Sequence, residues 1–273
     1  MRALIDCHIH TERCGHAIGS VDDYVAQGIR KHLYGMVITE HLALPDDLDP
    51  GRHLSMPACD LEDYLVEVDF ARNRYPDIVV VTGIEADYLA GREVETARAI
   101  SAARAHPDGA RVVLGSVHFI GDWAFDDPHH AEEWDRRDVD EAWRDYFELW
   151  IAAARSGMFD VMAHPDLVKK FGHFPSFDRR ELYAEGAQVA ADAGVLIEVS
   201  TAGLRKPVGE LYPGAEFLAA FRAAGVAATV GSDAHEPAEV GFEIDAAYDA
   251  LQTAGYDRVA FPDGRGGWKE LPL

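Results

Sequence analysis

Seven short runs rich in β-branched and apolar residues recur along the chain, each followed by a longer amphipathic stretch. They read ALIDCHIH, GMVITEH, DIVVVTGIEAD, RVVLGSVHF, FDVMAHPD, GVLIEVSTAG and VAATVGSDAH. Runs that are apolar without alternation belong to strands buried on both faces, and strands separated by helices pair in parallel. The helical reading is clearest from Asp140 to Gly157, where Trp143, Phe147, Trp150 and Ile151 fall on one face at i, i+4, i+7 and i+8. Ser20 with Asp23 forms a capping-box-like pair ahead of Val25 and Ile29. Gly35, Gly157, Gly194 and Gly225 stand where left-handed residues should end helices before a strand.

Seven such units leave an open doubly wound sheet or a closed barrel. Neither GxGxxG nor GxxxxGK[ST] occurs, so a dinucleotide fold or a P-loop is not supported. No short-period repeat and no linker-like stretch interrupts the pattern. At 273 residues the chain is of ordinary length for an α/β barrel, and one domain over residues 1–273 is expected.

Composition narrows the function. The chain is 48% apolar and 27% charged, the balance of a globular protein with a sizeable core. No run of eighteen apolar residues appears, so no membrane partner is expected, and Asp6 breaks the N-terminal apolar run too early for a secretory signal. Three cysteines, Cys7, Cys14 and Cys59, with no CxxC pair, suit reduced thiols in the cytoplasm. The formal net charge of −23 is spread along the chain, which argues against a nucleic-acid partner. A small phosphorylated substrate would need local positive charge at its site, such as metal ions.

The C-terminal ends of the runs carry that possibility. The first ends in His8 and His10 with His16 beyond, the second in Glu40 and His41, and the third carries Glu85 and Asp87. The fourth ends in His118, the fifth in His164 and the seventh in Asp233 and His235. The sixth offers no ligand type, only Ser200, Thr201 and Arg205. In a parallel α/β barrel the strand C-termini and the loops after them build the site. Alternate strand residues share a face, so His8 and His10 project together, as do Asp233 and His235. One histidine near a strand end is usually hydrogen-bonded or at the surface; ligand types at six strand ends together point to a metal centre. His32, His53, His106, His129, His130 and His173 lie in helices or loops and are not candidates. Cys7 alternates away from His8 and His10 and reads as packing, while Cys14 stays open as a thiolate ligand.

At these residues the sequence resembles the PHP family (polymerase and histidinol phosphatase), and within it the histidinol-phosphate phosphatases. The matching segments are DCHIHTERCGHAIG, ITEH, GIEADY, GSVHFIGDW, AHPDLVKKFG, STAGLRKPVGELYP and GSDAHEPAEVGF, in order over nearly the whole chain. One departure is Glu40, where the family more often has Asp before its histidine. The resemblance implies a distorted (β/α)7 barrel with a centre of three divalent ions at the strand C-terminal ends. His8, His10, Glu85 and Asp233 would hold one ion. Glu85 would bridge to a second, completed by His118 and His164, and His16, His41 and His235 would hold the third. Imidazole and carboxylate donors suit Zn, Fe, Mn and Co.

The implied reaction is hydrolysis of L-histidinol phosphate to L-histidinol and phosphate, in histidine biosynthesis. Paired metals supply a hydroxide nucleophile near neutral pH and stabilise the attacking and leaving oxygens, so Glu85 and Asp233 are expected to be catalytic. Arg205 would neutralise phosphate oxygens through its guanidinium fork, joining both the catalytic and the substrate-binding set. Lys169 and Lys170 read as surface charges, with Lys169 the candidate to reach the phosphate. Trp123, in the long loop after the fourth strand, would either cover the substrate's imidazole or pack against the barrel rim. The alternatives are a PHP phosphoesterase of nucleotides or oligonucleotides, disfavoured by the acidity, and a non-catalytic metal-binding module, disfavoured because all nine ligand positions are filled.

Overall fold

The computed structural model describes residues 2–273. In chain order its elements are β1 (Ile5–Asp6), α1 (Val21–Arg30), β2 (Gly35–His41), α2 (Leu61–Arg74), β3 (Val79–Asp87), α3 (Glu93–Ala105) and β4 (Val112–Ser116). There follow β5 (Phe119–Ile120), β6 (Trp123–Ala124), α4 (Val139–Arg155), β7 (Val161–Met162), α5 (Arg180–Ala193) and β8 (Leu196–Ser200). The chain ends in α6 (Ala215–Ala223), β9 (Ala228–Gly231), α7 (Ile244–Thr253), β10 (Arg258–Pro262) and β11 (Trp268–Pro272).

Seven strands form one all-parallel sheet in the order β1-β2-β3-β4-β7-β8-β9, one strand for each apolar run. The sheet curls until its edges meet. Cys7 N–H donates to Val230 C=O at 2.8 Å, His10 N–H to Ala234 C=O at 2.9 Å, and Ile9 bridges Ala234 in parallel. This is a distorted (β/α)7 barrel. Several strands are shorter than their apolar runs, and the ligand residues lie just past the regular pairing.

The helices pack their apolar faces on the barrel. Trp143, Tyr146, Phe147 and Trp150 of α4 are all buried, and the Trp150 ring meets Phe217 and Phe221 of α6. Burial of each such ring contributes roughly 3–5 kcal/mol against truncation to alanine. The Ser20–Asp23 capping box forms at the start of α1, and Gly194 caps α5 with φ 69°. Gly157 and Gly225 follow α4 and α6 in the left-handed region. Gly35 does not: it opens β2, and the turn after α1 uses His32 at φ 55° instead. Gly35 is small because the Phe261 ring covers it, a Cβ there falling 2.4 Å from Phe261 Cζ.

Two antiparallel pairs stand outside the barrel pattern. The β10–β11 hairpin brings Phe261 onto β2, and the β5–β6 pair follows β4 at the mouth. The stretch after β4 is therefore less of a loop than its sequence suggests, since a 3-10 helix at Pro128–Arg136 follows β6.

Candidate metal centre

His8 and His10 emerge just beyond β1 and point the same way, as alternation requires. Each places Nε2 3.3 Å from Glu85 Oε2 at the end of β3. Asp233 Oδ1 lies 3.7 Å from His8 Nε2 and 3.3 Å from His10 Nε2. A tetrahedral ion with bonds of about 2.0–2.1 Å separates its ligands by roughly 3.3 Å, and three of these four distances match that spacing. His8 Nε2, His10 Nε2 and Glu85 Oε2 are buried and have no hydrogen-bond partner. Buried polar atoms without partners are rare and costly, and a shared cation satisfies all three.

The other Glu85 oxygen faces away from this group. Oε1 lies 3.0 Å from His164 Nε2 and 3.8 Å from His118 Nε2, and accepts from Ser116 Oγ. One carboxylate thus touches two clusters of histidine nitrogens. A third pair sits at the rim, where His16 Nε2 and His235 Nε2 are 3.0 Å apart. His16 Nδ1 donates to His53 C=O at 2.9 Å and His235 Nδ1 to Asp233 C=O at 3.1 Å. Both Nε2 atoms therefore present lone pairs to one another, a repulsive contact that a cation between them turns favourable.

The expected rim trio is drawn less tightly. His41 turns Nδ1 to Glu85 Oε2 at 3.0 Å and stacks on His10 at 4.0 Å, with its ring 5.2 Å from that of His16. Among the described residues the donor groups that gather within reach of one ion are His8–His10–Asp233, His8–Glu85–His164, His10–His41–His235 and Cys14–His16–His235. Every expected ligand except His118 belongs to one of these, and His118 stands at the edge of the second. Cys14 Sγ lies 3.9 Å from His16 Nε2 and donates to Thr11 C=O. Cys7 is buried in packing, and all three cysteines are free.

Groups behind the ligands fix their orientation. His8 Nδ1 donates to Glu198 Oε1 and His118 Nδ1 to Asp87 Oδ1, each at 2.9 Å, leaving both Nε2 atoms for the ion. Glu198 also accepts from His164 N–H at 2.9 Å, so one buried carboxylate of β8 holds two ligands. Gly231 makes room for it, because a Cβ there would fall 2.1 Å from Glu198 Oε1. Glu40 accepts from Thr11 N–H at 2.9 Å and from His41 N–H at 3.1 Å, a supporting place that suits its departure from the family pattern. Asp233 at φ 52° and His164 at φ 28° take left-handed backbone, a strain that non-glycine residues carry mainly where function requires it.

The charges are ordered accordingly. Burial alone would depress His8, but Glu198, Glu85 and Asp233 outweigh it and hold its pKa well above the histidine value. His118, beside Asp87 and Asp126, is raised to about 10 against the same opposition from burial. Burial would raise Glu85 and Asp233, yet the surrounding histidines, His8 first, hold both well below the carboxylate range. Burial and the neighbouring His41 and His10 lower His16 to about 4, and burial with His10 takes His235 well down. The rim histidines are thus neutral, with lone pairs free for a metal.

Arg205 lies beside Asp233, with its Nε 2.8 Å from Glu239 Oε1. One amino group (Nη2) donates to Ser232 C=O at 2.9 Å and Asp233 C=O at 3.0 Å, while buried Nη1 has no partner. Lys169 corrects the surface reading: it is 1% exposed. Its ammonium is 3.0 Å from Asp166, 3.0 Å from Glu210 and 2.8 Å from Leu211 C=O, so its three protons are all engaged. Lys170 pairs with Asp126 at 2.8 Å. Trp123 takes the packing role, buried against Trp134 at 4.9 Å with Arg137 over its ring at 4.1 Å. Sequence reasoning missed Glu198, whose signal was a lone acid inside the apolar run GVLIEVSTAG.

Comparison with known proteins agrees with this architecture. A Deinococcus radiodurans protein described as a probable histidinol-phosphatase is 35% identical over 263 residues, covering 96% of this chain and 97% of its own. A Schizosaccharomyces pombe protein with the same description is 24% identical over 96% of this chain and 92% of its own. The crystal structure of histidinol phosphate phosphatase from Lactococcus lactis, complexed with zinc, L-histidinol and phosphate, superposes with a TM-score of 0.82 at 22% identity, covering 98% of this chain and 99% of that one. The PHP domain model matches residues 6–202, from the acid that opens the first histidine motif to the turn after β8. By this match, and by the 35% identity over nearly the whole chain to the Deinococcus protein, the chain belongs to the PHP domain family.

Proposed function

We propose that this protein is a divalent-metal-dependent phosphomonoesterase that hydrolyses L-histidinol phosphate to L-histidinol and phosphate, as a cytoplasmic step of histidine biosynthesis. The observation that carries the chemistry is the set of buried, unpartnered atoms of His8, His10 and Glu85, with Asp233 Oδ1 3.3 Å from His10 Nε2. The substrate is supported by the full-length relative described as a histidinol-phosphatase. In this reading His8, His10, Glu85 and Asp233 hold one ion, Glu85 with His118 and His164 a second, and His16, His41 and His235 a third. Zinc, iron or manganese fits these donors. When bound, the ions supply an acidified water and positive charge opposite the phosphate oxygens.

The chain's own groups do the rest. Arg205 presents the unpartnered Nη1 to a phosphate oxygen while its other amino group is tied to the backbone on either side of Asp233. Lys169 has no proton left for this and falls outside the proposal. Trp123, packed against Trp134 beneath Arg137, takes no part in binding. The ligands come from both ends of the chain and one large core links Ile5 to Phe261, which supports treating residues 1–273 as one domain. Three free cysteines support the cytoplasm.

The test is metal content of the purified protein together with kcat/KM for histidinol phosphate against a panel of other phosphomonoesters, nucleotides and phosphodiesters. Histidinol phosphate should lead. A preferred nucleotide or diester would move the reading to the alternative phosphoesterase, and a fully metallated protein without turnover would make it a binding module.

A further inference from the structure

The segment between β2 and α2 is folded around a single buried carboxylate. Asp49 is 5% exposed. Its Oδ1 accepts from His53 N–H at 2.8 Å, and its Oδ2 accepts from Leu54 N–H at 3.1 Å, Ser55 N–H at 3.1 Å and Ser55 Oγ at 3.0 Å. Ser55 Oγ in turn accepts from Leu44 N–H at 3.0 Å, and Met56 N–H donates to His41 C=O at 3.1 Å. The loop is thereby closed on itself and fastened to the end of β2.

What this loop presents to the metal centre is a backbone oxygen. His53 C=O lies 2.9 Å from His16 Nδ1, and among the described residues the only other acceptor at that nitrogen is Cys14 C=O at 3.3 Å. Both are acceptors, so Nδ1 must carry the ring proton and Nε2 the lone pair, the tautomer a ligand needs. The two segments approach too closely for a side chain between them: a Cβ on Gly15, itself at φ +84°, would sit 2.9 Å from Arg52 C=O and 3.4 Å from His53 Cα.

We propose that Asp49 is a positioning residue for the rim ion, acting through the His53 carbonyl to fix the tautomer and direction of His16. The inference rests on the reading above that His16 holds an ion. Partners that orient a ligating histidine are worth about 10–100-fold in metal affinity. Asn at position 49 would have to turn its NH2 group either to His53 N–H or to the three donors of Leu54 and Ser55, opening the loop where its carbonyl is needed.

The experiment is equilibrium dialysis of wild type, Asp49→Asn, Ser55→Ala and His16→Ala against graded manganese, with bound metal measured directly and activity followed at each concentration. Asp49→Asn should lose one ion at limiting metal and recover it, with its kcat, at roughly 10–100-fold higher metal. Ser55→Ala, which removes one of the four bonds, should shift the same way by less, and keeps the test open if Asp49→Asn does not fold. His16→Ala should not recover the ion at any concentration used. A binding curve for folded Asp49→Asn that overlays wild type, or a loss shared equally among all ions, overturns the clamp while leaving the three-ion reading intact. Should wild type and His16→Ala hold the same number of ions throughout, the three-ion reading falls and the clamp with it.

Discussion

Glu85 is the residue on which the centre turns. One of its oxygens lies within 3.3 Å of His8, His10 and His41, and the other meets His164 at 3.0 Å. Glu85→Gln keeps the volume and removes the charge that both clusters share. Its activity should fall by more than the roughly 10–100-fold expected for a partner behind a ligand. Bound metal should drop while far-ultraviolet circular dichroism is unchanged, and a fully metallated, fully active variant would refute the bridging role. Protonation gives a second prediction. In the metal-free protein His8 and His118 are raised, the latter to about 10, so both carry protons at pH 7 that a metal must displace. Uptake should therefore release protons and strengthen as pH rises towards 10, with His16, at about 4, contributing none near neutrality. Metal titration calorimetry in buffers of different ionisation enthalpy measures the release, and a buffer-independent heat would contradict it. At this scale the nine candidate ligands were legible because histidines and acids at strand ends stand out against an apolar pattern. Lys169 was not, because two of its three partners, Glu210 and Leu211 C=O, lie about forty residues on.

Among the elements, the seven parallel strands followed from the apolar runs, since a strand buried on both faces leaves no room for polar alternation. The C-terminal hairpin did not follow, although Asp263-Gly264 between Val259–Phe261 and Trp268–Leu271 is a hairpin signal. An antiparallel pair outside the barrel has no place in a repeating strand-helix pattern, and only the tertiary contact of Phe261 with Gly35 shows what it does. That contact also explains why Gly35 was misread as a helix terminator, when its requirement is a ring at 2.4 Å from the missing Cβ rather than a backbone angle. Gly35→Ala should destabilise the protein by about 1–3 kcal/mol, the range for overpacking a core. In a double-mutant cycle Phe261→Leu should recover part of that loss, measured by denaturant unfolding. Additive effects would mean that the hairpin does not press on β2.

For the whole molecule, an ion held at this centre is expected to stabilise the fold as well as to serve the chemistry. Without ions the folded state must keep unpartnered buried atoms of His8, His10 and Glu85 beside Asp233. A ligand at 1,000 times its Kd stabilises the state it binds by about 4.1 kcal/mol, and a protein of this size shifts Tm by roughly 2–4 °C per kcal/mol. Chelation should therefore lower Tm by on the order of 10 °C for each tightly held site, reversibly on adding metal back. A Tm indifferent to chelator, with metal shown to be gone, would mean that the fold neither senses nor needs the ions.

The barrel closes where Ile9 meets Ala234, and the strand ends on either side of that seam carry His8, His10, Asp233 and His235. The first site is thus assembled from residues at opposite ends of the chain. During synthesis no partial product holds it: a chain released before residue 228 lacks β9, Asp233 and His235 together. Loading an ion there is consequently an act of completion, possible only after the ribosome has delivered nearly the whole polypeptide and the two margins of the sheet have met. An ion held between His8, His10 and Asp233 would thus mark a molecule whose barrel has closed, whereas Glu85, His118 and His164 all precede β9 in the chain.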